Sequence, residues 1–177
     1  MKRAGDWIQT YSGLQFWPLD PRPEEICIED IAHGLSLLCR FGGQCTSFYS
    51  VAEHSCHAAN MASSNLSFAA LMHDASEAYI ADVCRPLKQH MPDYKAAESK
   101  IMDTIGTKFN ISPEEFEAVK EVDTRMLATE AITLLKGGPQ NWSWNPAEIA
   151  YSGFTFKMLA PAKAEAWFLD MFKNIKE

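Results

Sequence analysis

The sequence contains no apolar run of the roughly 18 residues that a membrane span requires, and its opening stretch, "MKRAGDWIQTYSG", lacks the apolar core of a secretory signal. Cysteine is sparse: Cys27, Cys39, Cys45, Cys56 and Cys84 are odd in number and show no CxxC spacing. These absences set the expectation of a cytoplasmic protein with reduced thiols and no membrane partner. Positive charge is also short, with 16 Lys and Arg against 23 Asp and Glu and a net charge of −7. Binding to a nucleic-acid polymer rests on many Lys and Arg contacts to phosphate, so that partner class is excluded. A small anionic substrate needs only two or three cations and stays open. Repeats, low-complexity tracts and linkers are missing too, so residues 1–177 read as a single domain. A chain of this length buries well over half of its unfolded surface and needs no disulfide or structural metal to fold. Its 47% hydrophobic and 22% charged content is that of an ordinary soluble globular protein.

What the chain does have is helical periodicity. Residues 7–28 form short extended pieces around the proline-rich turn "DPRPEE" and predict a two-stranded hairpin. Thereafter "EDIAHGLSLLCRF" carries apolar residues at 31, 35, 38 and 41, near a 3.6 period. "SVAEHSCHAANMA" opens with Ser50 and Glu53 in capping-box spacing. Further helices are predicted over 66–80, after Pro92 with Asp93 as N-cap, and from Pro113 with Ser112 and Glu115 as a capping box. "GG" at 137–138 ends the last of these; 139–149 reads as a loop with at most one helical turn, and "PAKAEAWFLDMFKNI" as a closing helix. The fold class is mainly α, with five to seven helices.

The stretch "FAALMHDASEAYIADV" sets polar chemistry into an apolar run. At about 100° per residue, His73 and Glu77 are about 40° apart on one helix face and Asp74 lies within about 60° of Glu77. A single buried histidine is ordinarily core, satisfied by a carbonyl. Two carboxylates beside it cost several kcal/mol each in desolvation unless hydrogen bonds or a cation offset that cost. A metal ion offsets it directly, and further ligands must come from elsewhere in the chain. His54 lies on the preceding amphipathic helix. Asp123 sits mid-helix between Val122 and Met126, where aspartate is a poor helix former, although a solvated helix face also accounts for it.

The order His54, His73-Asp74, Asp123 resembles the H…HD…D signature of the HD-domain metal-dependent phosphohydrolase superfamily. Within that superfamily, "CRFGGQCTSFYSVAEHS" followed by "LMHDASEAYIADVCRPLK" is similar to the small bacterial and phage group related to the 5′-deoxynucleotidases. The resemblance runs from about residue 12 to about 135 and implies an HD-domain helical bundle behind the N-terminal hairpin. It implies that His54, His73, Asp74 and Asp123 hold one divalent metal. Two imidazoles and two carboxylates suit Mn²⁺, Co²⁺, Fe²⁺, Ni²⁺ or Zn²⁺ better than Mg²⁺. By the same resemblance Glu77 orients or deprotonates the attacking water, and Asp82 donates a proton to the leaving oxygen or grips the sugar. Asp82 is equally readable as a turn residue near the helix end. Arg40, Lys88 and Lys120 match cations near the phosphate, the two lysines being compatible with plain surface positions as well. Phe41 is in register with an aromatic that flanks base or sugar, or it is core. Glu130, on the same helix face as Asp123, is a candidate outer partner for a ligand histidine. His57 matches no family ligand, and His33 reads as structural.

The resemblance implies a hydrolase removing phosphate from a nucleotide, first a deoxynucleoside 5′-monophosphate. The nearest alternative is a dNTPase releasing triphosphate; further off are a phosphodiesterase and a non-catalytic nucleotide sensor. A homodimer is implied by the same resemblance.

Overall fold

The computed structural model describes residues 3–176. Two-residue strands β1 (Ile8–Gln9) and β2 (Gln15–Phe16) pair antiparallel, Ile8 opposite Phe16. This hairpin is anchored from its turn, where the Ser12 backbone N–H and hydroxyl donate to the two oxygens of buried Asp30 at 2.6 and 2.9 Å. Tyr11 stacks on His33 at 3.7 Å, and Phe16, fully buried, stacks on Tyr79 at 4.1 Å.

The remainder is helical: α1 (Ile28–Leu37), α2 (Val51–Met61), α3 (Ser67–Met72), α4 (Glu77–Ile80), α5 (Arg85–Lys88), α6 (Pro92–Phe109), α7 (Pro113–Leu134) and α8 (Pro161–Lys176). Helix α2 is the hub, packed by α1, α3, α7 and α8. Its residues Val51 to Ala59 are all buried, as expected for a helix enclosed on every side. His33 reaches from α1 to Glu165 of α8 at 3.1 Å, and α8 inserts Ala164 and Phe168 into the core. No helix among the described residues is long and apolar enough to cross a membrane.

Several boundaries differ from those expected, each for a local reason. Helix α1 stops at Leu37 rather than running to Phe41, because Leu38 turns extended and Cys39 bridges antiparallel to Ser50. The Ser50 hydroxyl caps α2 by accepting from the Glu53 N–H, but Glu53 does not complete a box. Its fully buried carboxylate instead accepts from the N–H groups of Lys157, Met158 and Leu159 at 2.8, 2.9 and 2.7 Å, clamping the segment before α8. The single helix expected over 66–80 is split in two. Between α3 and α4 the ladder tightens to three-residue spacing, with Ala75 N–H on Met72 O and Glu77 N–H on Asp74 O, both at 3.0 Å. Helix α6 begins with Pro92 at its first position behind Met91, so Asp93 lies inside the helix and is not its cap. At α7 the capping box of Ser112 and Glu115 forms as expected. That split and the one-turn α5 add short segments to the helices expected, and the fold is mainly helical with a two-stranded antiparallel sheet.

A glycine decides one helix contact. A Cβ on Gly34 of α1 would stand 2.9 Å from the Ala78 Cβ and 3.0 Å from its backbone, so α1 and α4 touch where only hydrogen fits. Helix α4, held in this contact, carries Glu77 one residue before Ala78.

Candidate metal centre

Helices α2, α3 and α7 converge on one point. His54 comes from the first turn of α2, His73 from the residue after α3, and Asp123 from the middle of α7. His54 Nε2 and His73 Nε2 face each other at 3.1 Å. Asp123 Oδ1 lies 3.3 Å from the first nitrogen and 3.6 Å from the second. Asp74 Oδ2 lies 3.6 and 3.2 Å from the same two atoms. Metal–ligand bonds of about 2.1 Å place neighbouring donors about 3.0 Å apart around an octahedral ion and about 3.4 Å apart around a tetrahedral one. The observed spacing matches donors gathered for one cation, and His54, His73 and Asp123 form a possible metal-binding site.

The outer nitrogens fix which inner ones are free. His73 Nδ1–H donates to the Ala70 carbonyl at 2.7 Å; that oxygen can only accept, so the proton is on Nδ1. His54 Nδ1–H donates in the same way to Glu130 Oε1 at 2.5 Å. With both Nδ1 atoms protonated, each neutral ring aims a lone pair into the gap, toward two carboxylates. Four donors of like sign must share a proton or a cation there.

Electrostatics carry the same message. Burial opposes a charge on His54, as does the Arg40 guanidinium, yet Glu130 and Asp123 prevail and raise its proton affinity. Burial also opposes protonation of His73, but Asp74 and Asp123 lift it well above the imidazole range. Asp74, despite burial, is lowered to about 2 by His73 and then His54, and Asp123 is held well below the carboxylate range by both histidines.

Glu130 and Arg40 form the outer wall. Glu130 is fully buried; its Oε2 accepts from Arg40 Nη2 at 2.9 Å and Nε at 3.3 Å, while Oε1 holds His54. Arg40 Nη1 also reaches Asp74 Oδ2 at 3.5 Å. Burial disfavours the Arg40 charge, but Glu130, Asp74, Asp123 and Glu77 together fix it as a cation. The side chain lies on a turn in which Phe41, Gly42 and Gly43 take φ values of 56°, 59° and 78°. A phenylalanine in the left-handed region is strained, and its ring stands 5.8 Å from the guanidinium.

Glu77 opens α4 beside the cluster. It is buried, and its Oε2 has no hydrogen-bond partner among the described residues. Burial, then Asp74 and Asp82, hold its proton affinity well above that of an ordinary glutamate, against Arg40 and Lys88. Asp82 is exposed and follows Ala81, whose φ is +60°. Lys88 on α5 gives its ammonium to Glu98 of α6 at 2.5 Å; burial lowers its proton affinity, but Glu98, Glu77 and Asp82 raise it on balance. Lys120 is not among the residues touching the cluster: its side chain is 69% exposed and pairs with Glu117 at 2.5 Å.

His57 faces away, packed among Phe154, Phe156 and Trp167, with Glu53 Oε1 at 3.4 Å. Glu53 itself escaped sequence reasoning. A glutamate in the first turn of a helix has a ready explanation as a box partner, and nothing in the sequence signals backbone amides a hundred residues away.

No protein-family model matches the chain. The sequence is 38% identical over 171 residues to the uncharacterized protein YfdR of Escherichia coli (strain K12), covering 97% of this chain and 96% of that protein. It is 31% identical over 185 aligned residues to an uncharacterized protein of Rhodobacter capsulatus, covering 95% of this chain and 93% of that one.

Proposed function

We propose, for a chain that belongs to one family with Escherichia coli YfdR, that the His54–His73–Asp74–Asp123 cluster is the centre of an HD-type metal-dependent phosphohydrolase. Its substrates are deoxynucleotides, first among them a deoxynucleoside 5′-monophosphate. The observation carrying this reading is the pair of Nε2 atoms 3.1 Å apart, both Nδ1 protons committed elsewhere, with two aspartate oxygens within 3.6 Å. The donor set fits Mn²⁺, Co²⁺, Fe²⁺, Ni²⁺ or Zn²⁺. When bound, such an ion supplies polarisation of the phosphoryl oxygen and acidification of a water.

The remaining chemistry belongs to side chains. Arg40 engages at most three of its five N–H groups with Glu130 and Asp74, which leaves others to hold a phosphate oxygen. Glu77, with a buried oxygen free of protein partners, orients the attacking water and, when itself ionised, takes up its proton. Asp82, exposed at the rim, returns a proton to the departing oxygen or grips the sugar. Lys88 stands beside Glu77 and Asp82 and draws the substrate phosphate toward them. Phe41 stands next to Arg40 to flank the sugar or base.

A triphosphate would call for more cations than a monophosphate. The engagement of Lys120 with Glu117, away from the cluster, favours the smaller substrate. The test is a panel of deoxynucleoside mono- and triphosphates with each of the five metals. Release of orthophosphate from monophosphates is the expected result. Tripolyphosphate would move the assignment to a triphosphohydrolase, and no release from any nucleotide would end it.

A further inference from the structure

The turn that carries Arg40 is flanked by two cysteines. Cys39 Sγ and Cys45 Sγ lie 3.5 Å apart, about 1.5 Å beyond bonding distance. Both are partly exposed, whereas Cys56 is buried. The chain on either side is pinned: Arg40 N–H donates to Tyr49 O at 2.9 Å, Val51 N–H to Leu38 O at 3.0 Å, and Thr46 N–H to Leu134 O at 2.8 Å. Between these anchors the three left-handed residues Phe41, Gly42 and Gly43 curl the backbone until the two sulfurs meet. Thiols in contact also occur as simple packing, through a weak S–H···S bond. Here the pair is partly solvent-accessible, the anchors hold the sulfurs together, and the enclosed residues include a side chain bonded to the metal centre's outer wall.

We propose that Cys39 and Cys45 are a modification site, converted reversibly by a low-molecular-weight disulfide into an intrachain disulfide that closes a covalent ring through Arg40 and Phe41. One cysteine thiolate attacks a sulfur of, for example, glutathione disulfide, and a glutathione thiolate leaves. The second cysteine then attacks the protein-bound sulfur of the mixed disulfide and expels the second glutathione thiolate. Two protein S–H bonds and the S–S bond of the reagent are broken; one protein S–S bond and two glutathione S–H bonds form. The protein is oxidised by two electrons and glutathione disulfide is reduced by the same two. Burial, and then Cys39 beside it, push the Cys45 thiol up, so exchange is slow at neutral pH and quickens as pH rises.

The inference does not rest on the proposed activity, and its test does not use it. The full chain, folded, is equilibrated in glutathione buffers from fully reduced to fully oxidised at mildly alkaline pH. It is then mapped by non-reducing peptide mass spectrometry and by amide hydrogen exchange. A Cys39–Cys45 crosslink is expected, lost on adding reduced glutathione, with Cys56 still a thiol and exchange across 41–46 slowed about tenfold or more. Cys45→Ser should instead carry a single glutathione on Cys39. Under fully oxidising buffer, mixed disulfides alone, no modification, or a crosslink only in denaturant would overturn the proposal. A crosslink that leaves exchange at 41–46 unchanged would overturn the ring's hold on Arg40.

Discussion

Replacing Glu130 by glutamine keeps its shape and removes the one feature that lets it serve two donors. The fully buried carboxylate accepts from His54, itself fully buried, at one oxygen and from Arg40 at the other. Glutamine has one accepting oxygen and an amide group that donates. If the oxygen stays on Arg40, the amide faces His54 Nδ1, which must give up its proton to accept. The ring then protonates at Nε2 and loses the lone pair a cation needs. If the amide is flipped, Arg40, 12% exposed, faces another donor and keeps only Asp74 at 3.5 Å. Breaking a buried ion pair from one side costs about 3–5 kcal/mol. Loss of the carboxylate behind a ligand histidine weakens metal binding about 10–100-fold, which is about 1.4–2.7 kcal/mol. Calorimetric titration of chelator-stripped Glu130→Gln with Mn²⁺, beside urea unfolding with and without the metal, measures both. Asp123→Asn is the contrast: it removes a candidate ligand oxygen but leaves the Glu130–Arg40 pair intact, so metal binding should collapse while metal-free stability falls by less than in Glu130→Gln. If Glu130→Gln bound Mn²⁺ within about twofold of the parent and unfolded within about 0.5 kcal/mol of it, the two-donor reading of Glu130 would be wrong.

Metal affinity should rise with pH through and above the usual imidazole range, because the raised proton affinities of His54 and His73 make protons the competitor; titrations from pH 5.5 to 8.5, roughly, test this. Glu53→Gln should lose about 2–4 kcal/mol, since three backbone N–H groups are left with one acceptor. Burial opposes the Glu53 charge, but His57 and those N–H groups outweigh it and depress the folded pKa. Its stabilisation is therefore full above the ordinary glutamate range and is lost as pH falls through the folded value, so unfolding curves of the variant should show a shallower acid limb. Gly34→Ala should cost about 1–3 kcal/mol by driving α4 off α1, read as a shift in Tm. Glu77→Gln should lower kcat by more than about tenfold with Mn²⁺ affinity kept within about threefold, which separates water activation from metal binding.

The helices were legible wherever caps and periodicity agreed, as at Ser112-Pro113-Glu115, where the box forms as the spacing demands. They were not legible where tertiary contacts override local preference. The apolar positions at 38 and 41 fit a continuing helix, but pairing of Leu38 and Arg40 with the 49–51 backbone turns them into a connection. The break after Met72 matters more, because the rotation of 100° per residue used to bring His73, Asp74 and Glu77 to one face presumed an unbroken helix. Those residues still gather on one side, since a tightened turn also advances the chain roughly a third of a revolution per residue. Asp123 and Glu130 were placed on a common face by their seven-residue interval on one helix. The link from Glu130 through Arg40 back to Asp74 joins residues 34 to 90 positions apart, and no periodicity encodes it.

Charge balance ties the site to its occupant. Asp74, Asp123 and Glu130 are all held ionised, and Arg40 cancels one of the three, leaving two negative charges at the junction of α2, α3 and α7. Without a cation, that excess is met by protons, which is why both histidines hold theirs so firmly. One divalent ion would carry the same charge as two imidazole protons, and the facing Nε2 atoms of His54 and His73 would be among the donors that hold it. Binding should therefore displace protons rather than add charge to a buried place. In buffers of different ionisation heat the count of protons released per Mn²⁺ should approach two below the imidazole transitions and fall toward zero above them. A count of zero throughout would mean that the histidines are neutral without metal, and that the carboxylates are neutralised by something other than the rings they face.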